Sequence, residues 1–366
     1  MRQSKILLDS SAIQHNIQLI KNHAQNSEII PVLKANAYGH GIDFYLKFYE
    51  ELGFNRIAVA YLEEAEDLRE KGFKGKILVL VPPTIGDLED IIRLDLECSI
   101  DSFDLLDAIS NQDFIIDLHL FVNTGMNRDG INIDRVEEFL EKAKRIESAD
   151  IVGIMTHFAD AEKCQNSFAK KQYEIFENLV KKLQENSHIF NLIHAQNSSG
   201  IFNLDCPICN AIRPGISLHG LLPNPNKAKE IGLKPVLELN SRVKNTYELK
   251  AGDTAGYSFK FIAQKDTRVA VIPIGYGDGL NTRLGNKAEC LIKGKRYPIV
   301  GSVCMDLTLI DIGFDNVGIG DEVTLIGKSG NDEISVYEYA DILELIPYEI
   351  TTALKRRVER KLIFKS

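Results

Sequence analysis

The chain has 366 residues, of which 44% are hydrophobic and 26% are charged, a composition typical of globular proteins. Its formal net charge of −9 disfavours nucleic acid and anionic membranes as partners. A chain of this length is expected to form two domains, or one large barrel with an additional domain.

The N-terminal residues and the apolar stretches favour a cytoplasmic protein. No long apolar segment of the signal-peptide type follows Met1. The longest apolar stretches, near 76–83 and 268–274, have the length of strands and are too short to cross a membrane. We therefore expect neither a signal peptide nor a membrane span.

From about residue 28 to 216, short β-branched segments alternate with helical patterns. The predicted strands are 28–33, 56–60, 76–81, 97–100, 114–122, 151–156, 191–194 and 211–216. Helices are predicted at 62–71, around the apolar face of Phe176, Leu179, Val180 and Leu183, and at 134–146 with Asp134 as N-cap. This alternation predicts an α/β fold with a (β/α)8 TIM barrel, although an open, doubly wound sheet would have the same local pattern.

The pattern changes after about residue 230. Residues 236–243 alternate with a period of two, and 250–253 are typical of a turn. Further strands are predicted at 268–274, 289–293, 297–300, 308–312 and 322–326, followed by a helix at 335–345. The sequence thus predicts a barrel domain over 1–230 and a mostly-β C-terminal domain over 231–366.

The cysteines are expected to be free thiols, because disulfides are rare in the cytoplasm. They are Cys98, Cys164, Cys206, Cys209, Cys290 and Cys304. Cys206 and Cys209 have C-x-x-C spacing, but no second pair or histidine follows at the spacing of a zinc site. We interpret this spacing as incidental.

A lysine stands at the exit of the first predicted strand. Lys34 follows the apolar segment 29–33, and burial disfavours its charged form. A neutral lysine can form an imine with an aldehyde such as that of pyridoxal phosphate (PLP). A surface lysine ending a strand would occupy the same position, and position alone favours that second interpretation.

Polar residues and glycines follow several predicted strands, and the active site of a parallel barrel forms at the carboxyl ends of its strands. Arg128 comes after the fifth strand and His157 after the sixth. Ser198 and the amides of Gly215 and Ile216 fit a phosphate site after the last two strands. Each has a structural explanation when taken alone, but their common placement predicts a cofactor site.

Nine segments resemble those of alanine racemases, in the order of that family. They are KANAYGHG at 34–41, NTGMNR at 123–128, THFA at 156–159, HAQNS at 194–198, RPGI at 213–216, GY at 256–257, GYGDG at 275–279, VCMD at 303–306 and PYE at 347–349. The resemblance implies a PLP-dependent racemase that interconverts L- and D-alanine and supplies D-alanine for peptidoglycan. It implies a barrel followed by a β domain that roughly the first eight residues join, and a homodimer with shared active sites.

The resemblance implies a role for each site residue. Lys34 would hold PLP as an imine and act as one base, and the partner's Tyr257 would be the second base on the opposite face. Racemisation removes a proton from one face and returns it to the other, so two acid–base groups suffice. Since a phenol has a reference pKa of about 10, we expect a cationic neighbour beside Tyr257.

The resemblance also implies the binding residues. Arg213 would face the pyridine nitrogen and keep it unprotonated, which weakens the ring as an electron sink and should suppress transamination. Arg128 would contact the phenolic oxygen of the cofactor and the substrate carboxylate. The other residues implied are Tyr38, His157, Asn197, Ser198, Gly215, Ile216 and Tyr348 for the cofactor, and Tyr276 and Met305 for the substrate entrance.

The sequence departs from the family at three positions. Phe121 stands where many members have a carbamylated lysine that braces the arginine corresponding to Arg128, and Asn123 stands where aspartate is common. Our hypothesis is that a bound anion such as chloride, or a water, replaces this support. His219 stands where tyrosine is common, and we assign it no role.

The residues also bear on three other functions and on one other motif. A PLP-dependent decarboxylase of the same architecture would not need a tyrosine base at Tyr257. A non-catalytic PLP-binding protein would generally lack the β domain, and a broad-specificity racemase is typically exported. The glycines at 275–279 do not form a dinucleotide loop, because no helix follows and the spacing is wrong.

Overall fold

A computed structural model of the chain describes residues 3–24, 27–162 and 168–364. The strands of the first part are β1 Lys5–Asp9, β2 Glu28–Ile29, β3 Arg56–Val59, β4 Lys76–Val79, β5 Glu97–Ile100, β6 Ile116–Asn123, β7 Ile131–Asn132, β8 Ala149–Met155, β9 Leu192–His194 and β10 Ala211–Ile212.

Eight of these strands form a closed parallel barrel. Their order is β2-β10-β9-β8-β6-β5-β4-β3, with β7 paired to the edge of β6. Beyond β2 the barrel closes at Ala58, whose N–H donates to the Pro31 carbonyl and whose carbonyl accepts from the Leu33 N–H, both at 2.8 Å. The predicted TIM barrel is confirmed, and closure excludes the open sheet.

Helices connect the strands. They are Ser10–Ala24, Asp43–Glu51, Leu62–Glu70, Leu88–Arg93, Phe103–Ile109, Val136–Ala143, Phe168–Glu185, Ser198–Asn203, Pro225–Ile231, Val336–Leu343 and Pro347–Ala353. In the helix Phe168–Glu185, Phe176, Leu179, Val180 and Leu183 are all buried, as their spacing predicts.

Two local predictions need correction. Asp134 is not an N-cap, because the chain leaving β7 first makes a 3₁₀ turn at Ile133–Arg135 and the α-helix begins only at Val136. The eighth barrel strand ends at Ile212, not at residue 216. Pro214 has no N–H to donate to a neighbouring strand, and Gly215 turns the chain away with φ −120° and ψ −93°.

The second part of the chain is mostly β, as predicted. Its strands are β11 Leu237–Arg242, β12 Asn245–Leu249, β13 Thr254–Ala255, β14 Phe261–Ile262, β15 Thr267–Ile272, β16 Glu289–Ile292, β17 Lys295–Val300, β18 Thr308–Asp311, β19 Glu322–Ser329, β20 Asp332–Ile334 and β21 Glu359–Ile363.

Ten strands form one sheet, in which β1 comes from the opposite end of the chain. The order is β12-β15-β18-β17-β16-β19-β11-β1-β21, and β20 pairs with β19. β1 is antiparallel to β11 and parallel to β21. The segment before the barrel is therefore hydrogen-bonded to the β-rich part on both edges.

The described ranges contain neither a helix suited to cross a membrane nor a cluster of metal-binding side chains. No helix there has the length and apolar character needed to cross a bilayer. No group of three or more histidine, cysteine, aspartate or glutamate side chains is arranged as a metal site there.

Candidate active site

Lys34 begins a turn with a left-handed backbone. Residues 35–38 have φ values of 51°, 55°, 53° and 52°, and Gly39 has 83°. In residues other than glycine, this conformation brings Cβ close to the following carbonyl oxygen. The resulting steric strain costs about 1–2 kcal/mol for each such residue. Gly39 also packs against the carbonyl oxygen of Thr351. A Cβ atom added at residue 39 would lie 1.9 Å from that oxygen, so a larger residue does not fit there.

Hydrogen bonds from distant segments maintain this turn. Glu64 accepts from the Ala35 N–H through Oε1 at 2.6 Å and from the Ala60 N–H through Oε2 at 2.8 Å. Arg360 donates to the Gly39 carbonyl through Nε at 3.0 Å and Nη2 at 2.7 Å. Strain of this kind persists only where the surroundings impose it and is common at functional sites.

The amine of Lys34 lies in a recess at the carboxyl end of the barrel. As a whole, the Lys34 side chain is exposed to solvent in the single chain. The protein atoms around its amine nevertheless remove part of the water that would solvate the charged form. This desolvation lowers the pKa of Lys34, the nearby Arg128 charge lowers it further, and Glu64 opposes both effects. The amine is thus neutral at a lower pH than an ordinary lysine, which favours nucleophilic chemistry.

Arg213 is buried beneath the same end of the barrel. Its Nη1 lies 2.6 Å from His194 Nδ1 and donates to the His194 carbonyl at 2.9 Å. Its Nη2 donates to the Thr156 carbonyl at 2.7 Å and lies 3.3 Å from His157 Nδ1. Burial lowers the pKa of Arg213 to about 10, so the group remains a cation at neutral pH.

His157 lies between Arg213 and the barrel mouth. Burial, followed by the charges of Arg213, Arg128 and Lys34, lowers the pKa of His157 well below its ordinary value. The ring is therefore neutral at pH 7. The backbone carbonyl of His157 accepts a hydrogen bond from Gln172 Nε2 at 3.0 Å. This bond connects the segment after β8 to the helix Phe168–Glu185.

The segments after β9 and β10 meet at the hydroxyl of Ser198. Ser198 Oγ accepts from the Gly215 N–H at 2.9 Å and from the Ser217 N–H at 3.2 Å. A Cβ at Gly215 would lie 2.4 Å from the Tyr38 hydroxyl oxygen, so only glycine permits this approach. Asn197 caps the helix Ser198–Asn203 by accepting from the Gly200 N–H at 3.0 Å, and Ile216 is buried beside it.

Two tyrosines border this group of amides and hydroxyls. The rings of Tyr38 and Tyr348 meet edge to face with centroids 6.3 Å apart. Burial raises the pKa of both phenols, so both remain protonated donors at neutral pH. The combination of hydroxyls, a glycine and converging amides fits a phosphate group.

Arg128 has an anionic partner that the sequence interpretation missed. Its Nε donates to Asp129 Oδ2 at 2.8 Å, while Phe121 is buried beneath and carries no polar group. Asn123 accepts from the Gly125 and Asn127 N–H groups at 2.9 and 3.1 Å and thereby shapes the loop. Asp129 supplies a carboxylate to Arg128, so its support does not rest on a bound anion alone.

The remaining predicted residues lie in the β-rich part and are exposed. Tyr257 is 70% exposed, Met305 53% and Tyr276 44%. The hydroxyl of Tyr257 forms no hydrogen bond or cation–π contact with any residue that the structure describes, so the cationic neighbour expected beside it stays a prediction. The structure brings the barrel residues together, but across the described ranges no hydrogen bond or ring contact joins Tyr257, Met305 or Tyr276 to Lys34.

The cysteines are free wherever the structure describes them, and Cys164 lies outside the described residues. Cys206 and Cys209 are buried, and the hydrogen bond between them, together with burial, raises the pKa of the Cys206 thiol. Their position before β10 is at the end of the barrel opposite Lys34.

Comparison with known proteins agrees with this architecture. The family model of the alanine racemase N-terminal domain matches residues 8–223, and that of the C-terminal domain matches residues 236–362. Alanine racemase 1 of Caldanaerobacter subterraneus subsp. tengcongensis is 35% identical over 369 residues, covering 98% of this chain and 95% of that protein. The alanine racemase of Carboxydothermus hydrogenoformans is 36% identical over 356 residues, covering 95% and 96%.

Solved structures give the same result. Alanine racemase from Bacillus anthracis with bound L-Ala-P is 33% identical and superposes with a TM-score of 0.93, covering 99% of this chain and 95% of that chain. Alanine racemase from E. faecalis is 30% identical with a TM-score of 0.91, covering 99% and 98%. The chain therefore belongs to the alanine racemase family, isomerases that interconvert the two enantiomers of alanine.

Proposed function

We propose that the chain racemises alanine with PLP by a two-base mechanism, in which Lys34 and the partner's Tyr257 are the bases. The main support is the grouping of a desolvated lysine, a buried arginine and a set of amides and hydroxyls at one end of the barrel. This set matches the three parts of PLP, which are an aldehyde, a pyridine nitrogen and a phosphate.

The residues present fit the cofactor. Lys34 would hold the aldehyde, and Tyr38, Ser198, Gly215, Ile216 and Tyr348 would hold the phosphate, with Asn197 supporting Ser198. The contact between Gly215 and the Tyr38 hydroxyl leaves no room for a side chain there, as expected where backbone amides receive an anion. When bound, PLP supplies an electron sink that acidifies the Cα–H bond of the amino acid.

The protein's own groups perform the proton transfers. The lowered pKa of Lys34 makes its amine able to accept a proton from one face of the substrate Cα at neutral pH. The partner's Tyr257 would donate a proton to the other face. Arg213 has only donors, so it would keep the ring nitrogen an acceptor and limit electron withdrawal.

Substrate binding and assembly complete the proposal. Arg128, supported by Asp129, would bind the carboxylate of alanine, and Tyr276 and Met305 would shape the entrance from the partner subunit. We propose a homodimer in which each β domain faces the barrel of the other subunit. Residues 1–230 would form the barrel domain, with β1 assigned to the β domain, and residues 231–366 the remainder of that domain.

The product D-alanine would serve peptidoglycan synthesis. A decarboxylase of the same architecture is less well supported, because decarboxylation does not need a phenol opposite the lysine. Release of CO₂ in place of D-alanine would identify it.

The proposal is tested by adding PLP and L-alanine to the purified protein and following D-alanine. We expect imine absorbance and racemisation. Lys34→Ala and Tyr257→Phe should each lower kcat by at least about a hundredfold, the scale of one acid–base group, and each should lose exchange of Cα–H for solvent deuterium from one enantiomer.

The matched control is Tyr247→Phe, which removes the hydroxyl of another exposed tyrosine on β12 and should leave activity unchanged. Absence of imine absorbance, or full activity of Tyr257→Phe, would overturn the two-base proposal.

A further inference from the structure

A line of buried polar side chains crosses the interior of the barrel and ends at Arg213. His194 Nδ1 lies 2.6 Å from Arg213 Nη1, and His194 Nε2 lies 2.8 Å from His119 Nδ1. His119 Nε2 lies 3.4 Å from Glu97 Oε2, an electrostatic contact whose geometry is not that of a hydrogen bond. Glu97 begins β5 and Arg213 follows β10, so the line runs from the amino end to the carboxyl end of the strands.

The two ends of this line carry fixed charges. Arg213 is a cation, and Glu97 is an anion held by Arg56, which donates to its two oxygens at 2.7 and 3.0 Å. Arg56 also pairs with Glu28 at the start of β2. Burial acts to raise the pKa of Glu97, but its contacts with His119 and Arg56 outweigh this effect and lower the pKa, so the carboxylate is an anion at neutral pH.

Only one arrangement of protons satisfies these contacts. Because a guanidinium has donors and no acceptor, His194 Nδ1 must accept, and the proton of His194 must be on Nε2. His119 Nδ1 must then accept from it, so the proton of His119 is on Nε2 and points toward Glu97. In this arrangement each ring carries one N–H, and every N–H along the line points away from Arg213.

The surroundings leave little freedom for another arrangement. Glu97, His119, His194 and Arg213 are all at most 3% exposed. A Cβ at Gly153 on β8 would lie 2.4 Å from His119 Nδ1, so the glycine there makes room for the ring. Buried polar groups without partners cost free energy, which favours the arrangement that pairs both nitrogens of His194 and Nδ1 of His119 and turns the remaining His119 N–H toward the Glu97 carboxylate.

We propose that Glu97 and His119 are positioning residues for the reaction. They fix the tautomer of His194, which then accepts from Arg213 and holds the guanidinium in the orientation that presents it to the cofactor ring nitrogen. This inference rests on the proposed function for the role of Arg213. Neither residue touches the cofactor site, and both act through His194.

The proton arrangement is tested directly by neutron diffraction from crystals of the deuterium-exchanged holoenzyme. We expect deuterium on Nε2 of both His119 and His194 and none on Nδ1 of either. Deuterium on Nδ1 of either ring would overturn the proposal. This measurement does not depend on turnover, whereas the proposed function fails if the protein forms no imine with PLP.

Variants of His119 test the functional consequence. His119→Leu removes the acceptor for His194 Nε2–H, and we expect about a tenfold fall in kcat, the scale of one unsatisfied buried group, with little change in KM. The NMR chemical shift of the ring nitrogen of ¹⁵N-labelled PLP should change, and the number of abortive transaminations per turnover should rise. Both effects are expected because the orientation of the Arg213 guanidinium is less restricted in this variant. A merely structural role would move neither.

Two further variants serve as comparisons. His119→Asn keeps an acceptor near the position of Nδ1 and should restore most of the loss, which also covers the case in which His119→Leu does not fold. His188→Leu replaces another buried histidine outside this line and should have normal kinetics. A PLP nitrogen signal and kcat unchanged in His119→Leu, or an Asn variant no better than the Leu variant, would refute the inference.

Discussion

At the scale of single residues, Lys34 has two opposing charges in its surroundings. The desolvated recess and Arg128 favour the neutral amine, whereas Glu64, which anchors the Ala35 N–H, favours the ammonium. Desolvation and Arg128 prevail, so the pKa is lowered. The carboxylate that fixes the backbone therefore limits how far the amine can be activated.

This balance predicts a pH profile. The rate at which apoprotein forms an imine with PLP should rise with pH and level off at a pH below the ordinary lysine pKa of about 10.5, because the amine loses its proton earlier. Arg128→Gln removes a cation that lowers this pKa, so its profile should shift to higher pH. Stopped-flow absorbance measures both.

The control for this profile is Arg135→Gln. Arg135 is exposed, pairs with Glu138 and is not among the charges that act on Lys34. Its profile should coincide with that of the unchanged protein. A midpoint at the ordinary lysine value, or an Arg128→Gln profile that does not move, would contradict our account of the recess.

At the scale of elements, the left-handed turn after Lys34 stores backbone strain. Ala35 is exposed and has φ 51°, so Ala35→Gly should relieve about 1–2 kcal/mol of strain and cost about 0.5–1 kcal/mol through the more flexible unfolded chain. We expect a net increase in the free energy of unfolding, measured in urea. The same change should slow imine formation, because the lysine is less rigidly oriented.

Ala108→Gly provides the opposite case. Ala108 lies in the right-handed helix Phe103–Ile109 and is half-buried, so glycine relieves no strain there and should destabilise the protein by up to about 1 kcal/mol. If both variants lowered stability equally, the left-handed turn would carry no strain of consequence.

The elements also show how far the sequence alone can lead. Alternating β-branched and helical segments predicted the barrel strands, because burial on both faces of a parallel sheet leaves a continuous apolar pattern. The left-handed turn had no such signal, since Ala35, Asn36 and Ala37 are not residues that require a positive φ. Glu64, which accepts a hydrogen bond from the Ala35 N–H in this turn, lies 29 residues further along the chain. Nothing in the sequence indicates that Glu64 and the turn are in contact.

The same limit applies to the site. Lys34 and Ser198 could be proposed because they come after predicted strands, whereas the role of Arg213, which lies within the predicted strand 211–216, came from the resemblance to alanine racemases. Glu97 and His119 lie within strands, and their alignment with His194 depends on how neighbouring strands are staggered around the barrel. The stagger between strands is fixed when the barrel closes, so it cannot be derived from the sequence of any one strand.

At the scale of the molecule, the proposed second base forms no hydrogen bond with Lys34 within the described part of the chain. Tyr257 and Phe259 are 70% and 71% exposed, and Met305 is exposed as well. Large exposed aromatic groups of this kind are typical of interfaces between subunits. They support the proposed homodimer, in which each site takes residues from two chains.

Mixing inactive subunits tests this arrangement. In a heterodimer of Lys34→Ala and Tyr257→Phe chains, one site has both changes and the other has neither. After equal amounts are unfolded and refolded together, we expect about a quarter of the unchanged activity, because half the dimers are mixed and half their sites are intact. D-alanine formation measures it.

Separately refolded samples of each variant are the controls and should stay inactive. If the mixture also stays inactive while native mass spectrometry shows mixed dimers, the two bases come from the same chain.

The position of β1 between β11 and β21 has a consequence for biosynthesis. As the ribosome releases the chain, the barrel strands are complete well before β21 appears. Until then β1 can pair on at most one edge, and its alternating apolar residues Ile6 and Leu8 lack their final cover. During most of translation, the edge of β1 that finally pairs with β21 is therefore unpaired. A premature stop before residue 359 would leave this strand edge exposed permanently, where it could pair with another chain and aggregate or bind a chaperone.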